Sequence, residues 1–107
     1  LLAIICAPTP SPALVAAAAS WVASLDPQRW GLLLAGAHRA EGGPLADEIH
    51  RLAIAREIGV VAWHGAGSPM AMPGIAGVVV FGDRDAAREA RGRGLRVRAW
   101  DADGVER

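Results

Sequence analysis

The sequence predicts an α/β protein, a Rossmann-like three-layer sandwich with a mostly parallel sheet of about five strands in a single domain, residues 1–107. Short, continuous apolar runs alternate along the chain with longer segments whose apolar residues recur at helical spacing. Strands that are apolar at every position are typical of parallel sheets, because helices cover both sheet faces. The length of 107 residues suits one domain with one core.

Local signals mark the boundaries of the elements in the first half of the chain. Ser11 and Pro12 offer an N-cap and a first helical position, and Asp26-Pro27 stops the helix that they begin. Gly59 is expected to cap the second helix. The predicted elements are a strand at 1–7, a helix from 12 to about 25, a strand at 30–35 and a helix at 44–58.

The second half continues the alternation and is expected to finish the sheet. Asp83 is a suitable N-cap for a third helix, which Gly92 and Gly94 close, and a short helical turn is expected around Met70. The final residues are expected to be frayed. The predicted elements are a strand at 60–63, a loop at 64–74, a strand at 76–81, a helix at 83–93 and an alternating edge strand at 95–100.

Composition excludes several classes of function. The 11 acidic and 11 basic side chains cancel, which argues against duplex nucleic acid as the main partner. With 52% hydrophobic and 21% charged residues, the chain is not disordered. Every basic residue is arginine, and the absence of lysine excludes Schiff-base chemistry and a Walker A phosphate loop.

The single cysteine, Cys6, favours a reducing, cytoplasmic location, since it cannot form an internal disulfide. Residues 1–7 lack the basic flank of a signal peptide and meet prolines too soon to span a membrane. As a nucleophile Cys6 would need a base, for which His38 is the nearest candidate. The alternative is a small apolar side chain at the end of a buried strand.

In an open parallel sheet, ligands bind outside the carboxyl ends of the strands, so the loops at 8–11, 36–43, 64–68 and 82–85 are candidate site segments. The loop at 36–43 carries the strongest signal. Backbone amides of a glycine turn before a helix can hold an anion, and Arg39 adds a charged donor. The alternative is an ordinary loop whose glycines serve only its bends.

Several short blocks carry a resemblance to a known family. They are Leu32-Leu-Leu-Ala-Gly-Ala-His-Arg39, Gly43, Ala46-Asp47, Ala55-Arg-Glu-Ile-Gly-Val60, and Val78-Val-Val-Phe-Gly82 with Gly94-Leu-Arg-Val97. Together they resemble the SLOG superfamily, the Rossmann-like fold of the lysine-decarboxylase-like cytokinin-activating enzymes and of the DNA-processing protein DprA. The resemblance spans roughly residues 32–100 and lies more in layout than in strict motif.

The resemblance implies a nucleotide or phosphorylated nucleoside as ligand, with Asp47 or Glu48 contacting the sugar. Two departures favour a binding role over phosphoribohydrolase activity. Cys6-Ala-Pro-Thr-Pro-Ser11 replaces the family's Gly-Ser turn, and Gly82-Asp-Arg-Asp-Ala-Ala87 has no diglycine nest for phosphate. The expected ligand-binding residues are Gly36, His38, Arg39, Gly42, Gly43, Asp47, Glu48 and Gly82.

Each of these side-chain assignments has a structural alternative. Asp47 and Glu48 are placed in the first turn of the second helix, where the helix dipole alone favours carboxylates. His38, His50 and His64 share no compact ligand spacing, so we assign no metal, and likewise no cofactor and no catalytic residue. Solvated or hydrogen-bonded histidines are the alternative to a shared crevice.

The tryptophans and arginines are also open to two interpretations. Trp63 and Trp100 end strands and could stack on a ligand ring or pack at the sheet rim, whereas Trp21 is expected in the core. The arginines between residues 84 and 98 form a locally basic face, which is either solvated or contacts a weak anionic or protein partner.

An uncharged first helix and an apolar loop with Met70 and Met72, which is expected to be exposed, predict a homo-oligomer, a symmetric dimer or larger. The expected function is therefore binding of a nucleotide-type ligand, non-catalytic or weakly catalytic. One alternative is an oligomeric assembly module that keeps the fold without a ligand. A second alternative is a nucleoside-phosphate-processing hydrolase with Glu48 or His38 as acid or base.

Overall fold

A computed structural model describes residues 1–35, 43–63 and 67–107. The fold is α/β, with five strands and three α-helices among these residues, as the sequence predicts. The elements are β1 (Leu2–Cys6), α1 (Pro12–Ser24), β2 (Gly31–Ala35), α2 (Gly43–Ala55), β3 (Gly59–Trp63), a 3₁₀ turn (Pro69–Ala71), β4 (Gly77–Phe81), α3 (Arg84–Gly92) and β5 (Val97–Trp100).

The sheet has the order β3-β2-β1-β4-β5, and all of its strand pairs are parallel. The chain builds outward from β1 to β3 and then crosses to the other side of β1 to add β4 and β5. The order therefore reverses between β1 and β4, which pair along Leu2–Cys6 and Gly77–Phe81. This reversal defines the crevice where such sheets bind ligands.

Two apolar clusters cover the two faces of the sheet. Alternate residues of β4 point to opposite clusters, with Val79 and Phe81 in one and Val78 and Val80 in the other. Helices α1 and α2 complete the first cluster, whereas α3 and the 3₁₀ turn complete the second. Burial on both faces explains why the strand sequences are apolar at every position.

Two of the predicted N-caps are confirmed. The Ser11 hydroxyl accepts a hydrogen bond from the Leu14 backbone N–H at 3.2 Å, and Pro12 opens α1. The Asp83 carboxylate accepts from the Ala86 N–H at 3.0 Å. Each cap satisfies an N–H group that has no partner inside its helix.

The predicted end of α2 is wrong. The helix ends at Ala55, and Glu57 rather than Gly59 takes the left-handed conformation that closes it, at φ 61°. The Ile58 N–H then donates to the Ala53 carbonyl at 2.9 Å, the bond of a Schellman motif. Burial of Ile58 in the first cluster favours this early turn, and Gly59 is left to open β3.

The final residues are folded, not frayed as expected. The Asp101 Oδ1 atom accepts from the N–H groups of Asp103 and Val105 at 2.9 and 3.1 Å. Arg98 makes two hydrogen bonds to Glu106, both at 2.8 Å. Residues 101–107 therefore form an ordered tail that lies beside β5.

The expectation of an exposed methionine loop is also wrong. Met70 is 4% exposed and packs in the second cluster, and Met72 is partly buried against it. The expected helical turn around Met70 is present, and the Ser68 hydroxyl caps it by accepting from the Met70 N–H at 3.3 Å. Because this turn covers one face of the sheet, its Pro69 and Met70 side chains face inward.

Helix α1 leaves a face of small residues in solvent. Leu14, Ala18, Trp21 and Val22 are buried, whereas Ala13, Ala16, Ser20 and Ala23 are exposed. Within the described ranges, no helix has both the length and the apolar character needed to cross a membrane.

Candidate functional site

The carboxyl ends of β1 and β4 meet at the reversal of the sheet order. The Ala7 N–H donates to the Phe81 carbonyl at 2.8 Å, and the Gly82 N–H donates to the Trp100 carbonyl at 2.8 Å. The chain segments that leave β1, β4 and β5 are thereby fixed next to one another. A ligand bound at this edge would contact the segments that follow β1, β4 and β5.

Four of the eight predicted ligand-binding residues, Gly36, His38, Arg39 and Gly42, lie outside the described residues, as does His64. Gly43, Asp47, Glu48 and Gly82 lie within them. Of the predicted anion-binding loop at 36–43, the structure describes only the last residue, Gly43, and the helix α2 that begins there.

Gly43 opens α2 with a left-handed backbone, at φ 70°. A Cβ atom at this position would lie 3.2 Å from the Pro8 carbonyl oxygen. The absence of a side chain thus lets the start of α2 approach the segment that follows β1. Gly43 thus brings the start of α2 next to the loop after β1.

Asp47 and Glu48 do not lie in the first turn of α2, because the helix begins at Gly43. The helix dipole therefore explains them less well than the sequence suggested. Glu48 instead accepts a hydrogen bond from Arg51 Nε at 3.1 Å, and this bond holds the pKa of the Glu48 carboxyl below its usual value. Asp47 is exposed and makes no ion pair with another described residue.

Gly82 serves packing at the end of β4. Its φ is 81°, and a Cβ atom would lie 2.7 Å from Leu14 Cδ2 and 3.0 Å from Ala7 Cβ. Leu14 is 1% exposed, so it can move aside only by disturbing the core residues packed around it. The space above Gly82 is filled by α1, which accounts for this glycine without a ligand.

Cys6 ends β1 and packs against the first cluster. Burial raises the pKa of its thiol to about 12, so almost no thiolate forms near neutral pH. This environment favours the interpretation of Cys6 as an apolar side chain. Across residues 1–35, 43–63 and 67–107, no three His, Cys, Asp or Glu side chains come together as metal ligands.

The tryptophans at the strand ends have partners within the protein. The Trp63 indole N–H donates to the Gly67 carbonyl at 3.1 Å. Trp100 stacks on Phe81 with ring centroids 5.0 Å apart, and the Arg98 guanidinium lies 4.9 Å from the Trp100 centroid. Trp21 is buried, as predicted.

Two cavities of opposite charge flank α3 at the carboxyl edge. One, of about 590 Å³, is bordered by the acidic residues Asp83, Asp85 and Glu89. The other, of about 700 Å³, lies between α3 and the tail and is lined by four arginines. Sequence reasoning found the basic segment but not this groove, since the tail that forms its far wall was expected to be frayed. The lining arginines are Arg84, Arg88, Arg91 and Arg107.

Comparison of the chain with protein-family models, with curated proteins and with solved structures found no match. The resemblance to the SLOG superfamily stays a prediction from the sequence.

Replacing Gly82 by Ala is expected to destabilise the protein by about 2–4 kcal/mol, because it adds left-handed backbone strain to a clash with buried Leu14. Gly92→Ala is the matched control. A Cβ atom at Gly92 meets no other atom within 4 Å, so this helical substitution should be neutral or stabilise by up to about 1 kcal/mol. Urea unfolding measures both, and equal effects would contradict this account.

Cys6 is expected to resist thiol reagents in the folded protein. With a pKa of about 12, the native thiol should react with Ellman's reagent at pH 8 at least about 100-fold more slowly than the same thiol in denaturant. Absorbance at fixed pH measures both rates. Rapid reaction of the native protein would show instead that Cys6 is accessible and activated.

Proposed function

We propose that the protein binds a nucleotide or phosphorylated nucleoside at the carboxyl edge of its sheet, in a non-catalytic or weakly catalytic role. The observation that carries this proposal is the reversal of strand order between β1 and β4 in an all-parallel sheet. Sheets of this kind bind ligands in the crevice outside the carboxyl ends of their strands.

The phosphate is best accommodated at the start of α2. The first N–H groups of a helix lack partners within it, and the helix dipole adds partial positive charge there. Gly43 lets this helix start lie against Pro8, in the loop after β1. In this proposal Gly36, His38, Arg39 and Gly42 complete the phosphate contacts.

The sugar is assigned to Asp47 more readily than to Glu48. Glu48 is already engaged by Arg51, whereas Asp47 is exposed one turn beyond the start of α2. A free carboxylate can accept hydrogen bonds from ribose hydroxyls, as acidic residues do in other doubly wound folds.

Binding is favoured over hydrolysis by the state of the candidate acid. Glu48 is ionised near neutral pH, since nothing raises its pKa above the ordinary value, and its bond to Arg51 engages the carboxylate further, which makes it a poor proton donor. Its ion pair with Arg51 gives this residue a structural role on the helix surface.

A thermal-shift screen with nucleoside mono- and diphosphates tests this function. A ligand present at about 100 times its Kd stabilises by about 2.7 kcal/mol, which should raise the Tm of a chain of this size by roughly 10–12 °C. Arg39→Ala should weaken the affinity at least about tenfold, because a charge-assisted hydrogen bond to phosphate is lost.

Arg93→Ala is the control, since it removes the same charge from an exposed arginine paired with Glu89 on α3. Its affinity should match that of the wild type. The proposal fails if no nucleotide raises the Tm, or if Arg39→Ala and Arg93→Ala bind equally well.

A second candidate function, an assembly module, is favoured by the exposed face of α1. Ala13, Ala16, Ser20 and Ala23 present no charge and little bulk to solvent. Such a face permits close approach of a helix from a second copy of the chain. Met70 is buried, so it offers no apolar surface for such a contact.

If this face mediates assembly, Ala16→Glu should convert an oligomer into a monomer, because it places an unpaired charge in the contact. Gln28→Glu adds the same charge at an exposed position outside α1 and should leave the oligomer intact. Light scattering coupled to size exclusion measures the mass of each variant. A wild-type chain that is monomeric at about 1 mM would contradict the assembly role.

A further inference from the structure

The groove between α3 and the tail is built by small residues below and charged residues around its rim. Its floor contains Ala87 and Ala99, both nearly fully buried, and side chains this short leave the space above them open. The volume of about 700 Å³ is in the range of small-molecule sites.

The acidic side chains of the groove are largely engaged within the protein. Asp83 caps α3 through the Ala86 N–H. Asp101 receives Arg107 Nε at 2.7 Å together with two backbone N–H groups, and these bonds lower the pKa of its carboxyl. Only Asp103 is left as an exposed acid on the rim without a side-chain partner among the described residues.

The basic side chains are not balanced in the same way. Arg91 donates to the Arg107 backbone carbonyl at 3.2 Å. Arg84 and Arg88 are exposed and make no ion pair or hydrogen bond with another described residue. Two guanidinium groups therefore line the groove, and no described residue accepts a hydrogen bond from their N–H groups.

Helix stability does not explain these two arginines. Arg84 is the first residue of α3, where the helix dipole disfavours a cation. Arg88 follows four residues later and Arg91 three after that, so like charges repeat on one face of the helix. An anion in the groove would offset both the dipole and the mutual repulsion.

Trp100 lines the groove but offers no free stacking platform. Its ring already stacks on Phe81 and lies beneath the Arg98 guanidinium. Recognition here therefore depends on charge, not on an aromatic base. The guanidinium fork matches phosphate oxygens in a bidentate arrangement.

We propose that this groove binds a small anion with two adjacent phosphate groups, held between Arg84 and Arg88. The two residues lie one helical turn apart, about 6 Å along the axis, so each can engage one end of a diphosphate. This site goes beyond the function proposed above, because none of the described residues 43–48 at the start of α2 lines the groove.

Isothermal titration of the full chain with inorganic diphosphate tests the proposal. The wild type should bind diphosphate in the groove, and Arg84→Gln with Arg88→Gln should lose at least tenfold in affinity for that site. The matched control combines Arg93→Gln with Arg96→Gln, which removes the same charge from exposed arginines outside the groove and should bind as the wild type does.

Amide chemical-shift mapping of the wild type provides a readout that needs no variant. Added diphosphate should shift the amides of residues 84–91 and 101–103. No binding at millimolar diphosphate would overturn the proposal, as would equal losses in the two double variants, which indicate nonspecific charge attraction. Shifts confined to residues near Gly43 would assign the anion to the glycine loop instead.

Discussion

The parallel pairing of β1 with β4 is the contact on which the rest of the architecture depends. It joins Leu2–Cys6 to Gly77–Phe81, segments separated by most of the chain. This pairing reverses the direction in which the sheet grows. It also brings Gly82 beneath α1 and Phe81 against Trp21, whose ring centroids are 5.7 Å apart. The candidate sites on the carboxyl edge are formed by segments that this pairing brings together.

The second consequence is a separation of charge that the neutral composition conceals. Helix α3 presents Asp85 and Glu89 to the cavity near the 3₁₀ turn, and Arg84 and Arg88 to the groove beside the tail. An anion is repelled from the first surface and attracted to the second. We therefore propose two different places for phosphate, the start of α2 and the groove lined by Arg84 and Arg88.

Local signals in the sequence predicted much of the fold because they act within a few residues. Ser11, Pro12 and Asp83 mark helix starts through bonds to backbone groups three residues away. The apolar strands predicted a buried parallel sheet, since both of their faces pack against helices. Gly94 ends α3 in the left-handed conformation, at φ 77°, as its position after the helix predicted.

The features that the sequence did not predict depend on distant residues. Glu57 ends α2 because burial of Ile58 favours an early turn. The tail is ordered partly by contact with α1, since a Cβ atom at Gly104 would lie 2.5 Å from the Ala13 carbonyl oxygen. The arginine groove exists only because that tail is folded. The sequence shows the helical spacing of Arg84, Arg88 and Arg91. That spacing does not indicate that residues 101–107 form the opposite side of a groove.

Hydrogen–deuterium exchange of the full chain with and without a saturating nucleoside diphosphate tests the central claim, that ligands bind at the carboxyl edge of this sheet. Bound ligand should slow amide exchange at residues 7–11 and 36–48, or at 84–91 and 101–103 if it occupies the groove. The amino ends of the strands, near Leu2, Gly31 and Gly77, should exchange as in the free protein. Protection at those amino ends, or no change anywhere at saturating ligand, would contradict it.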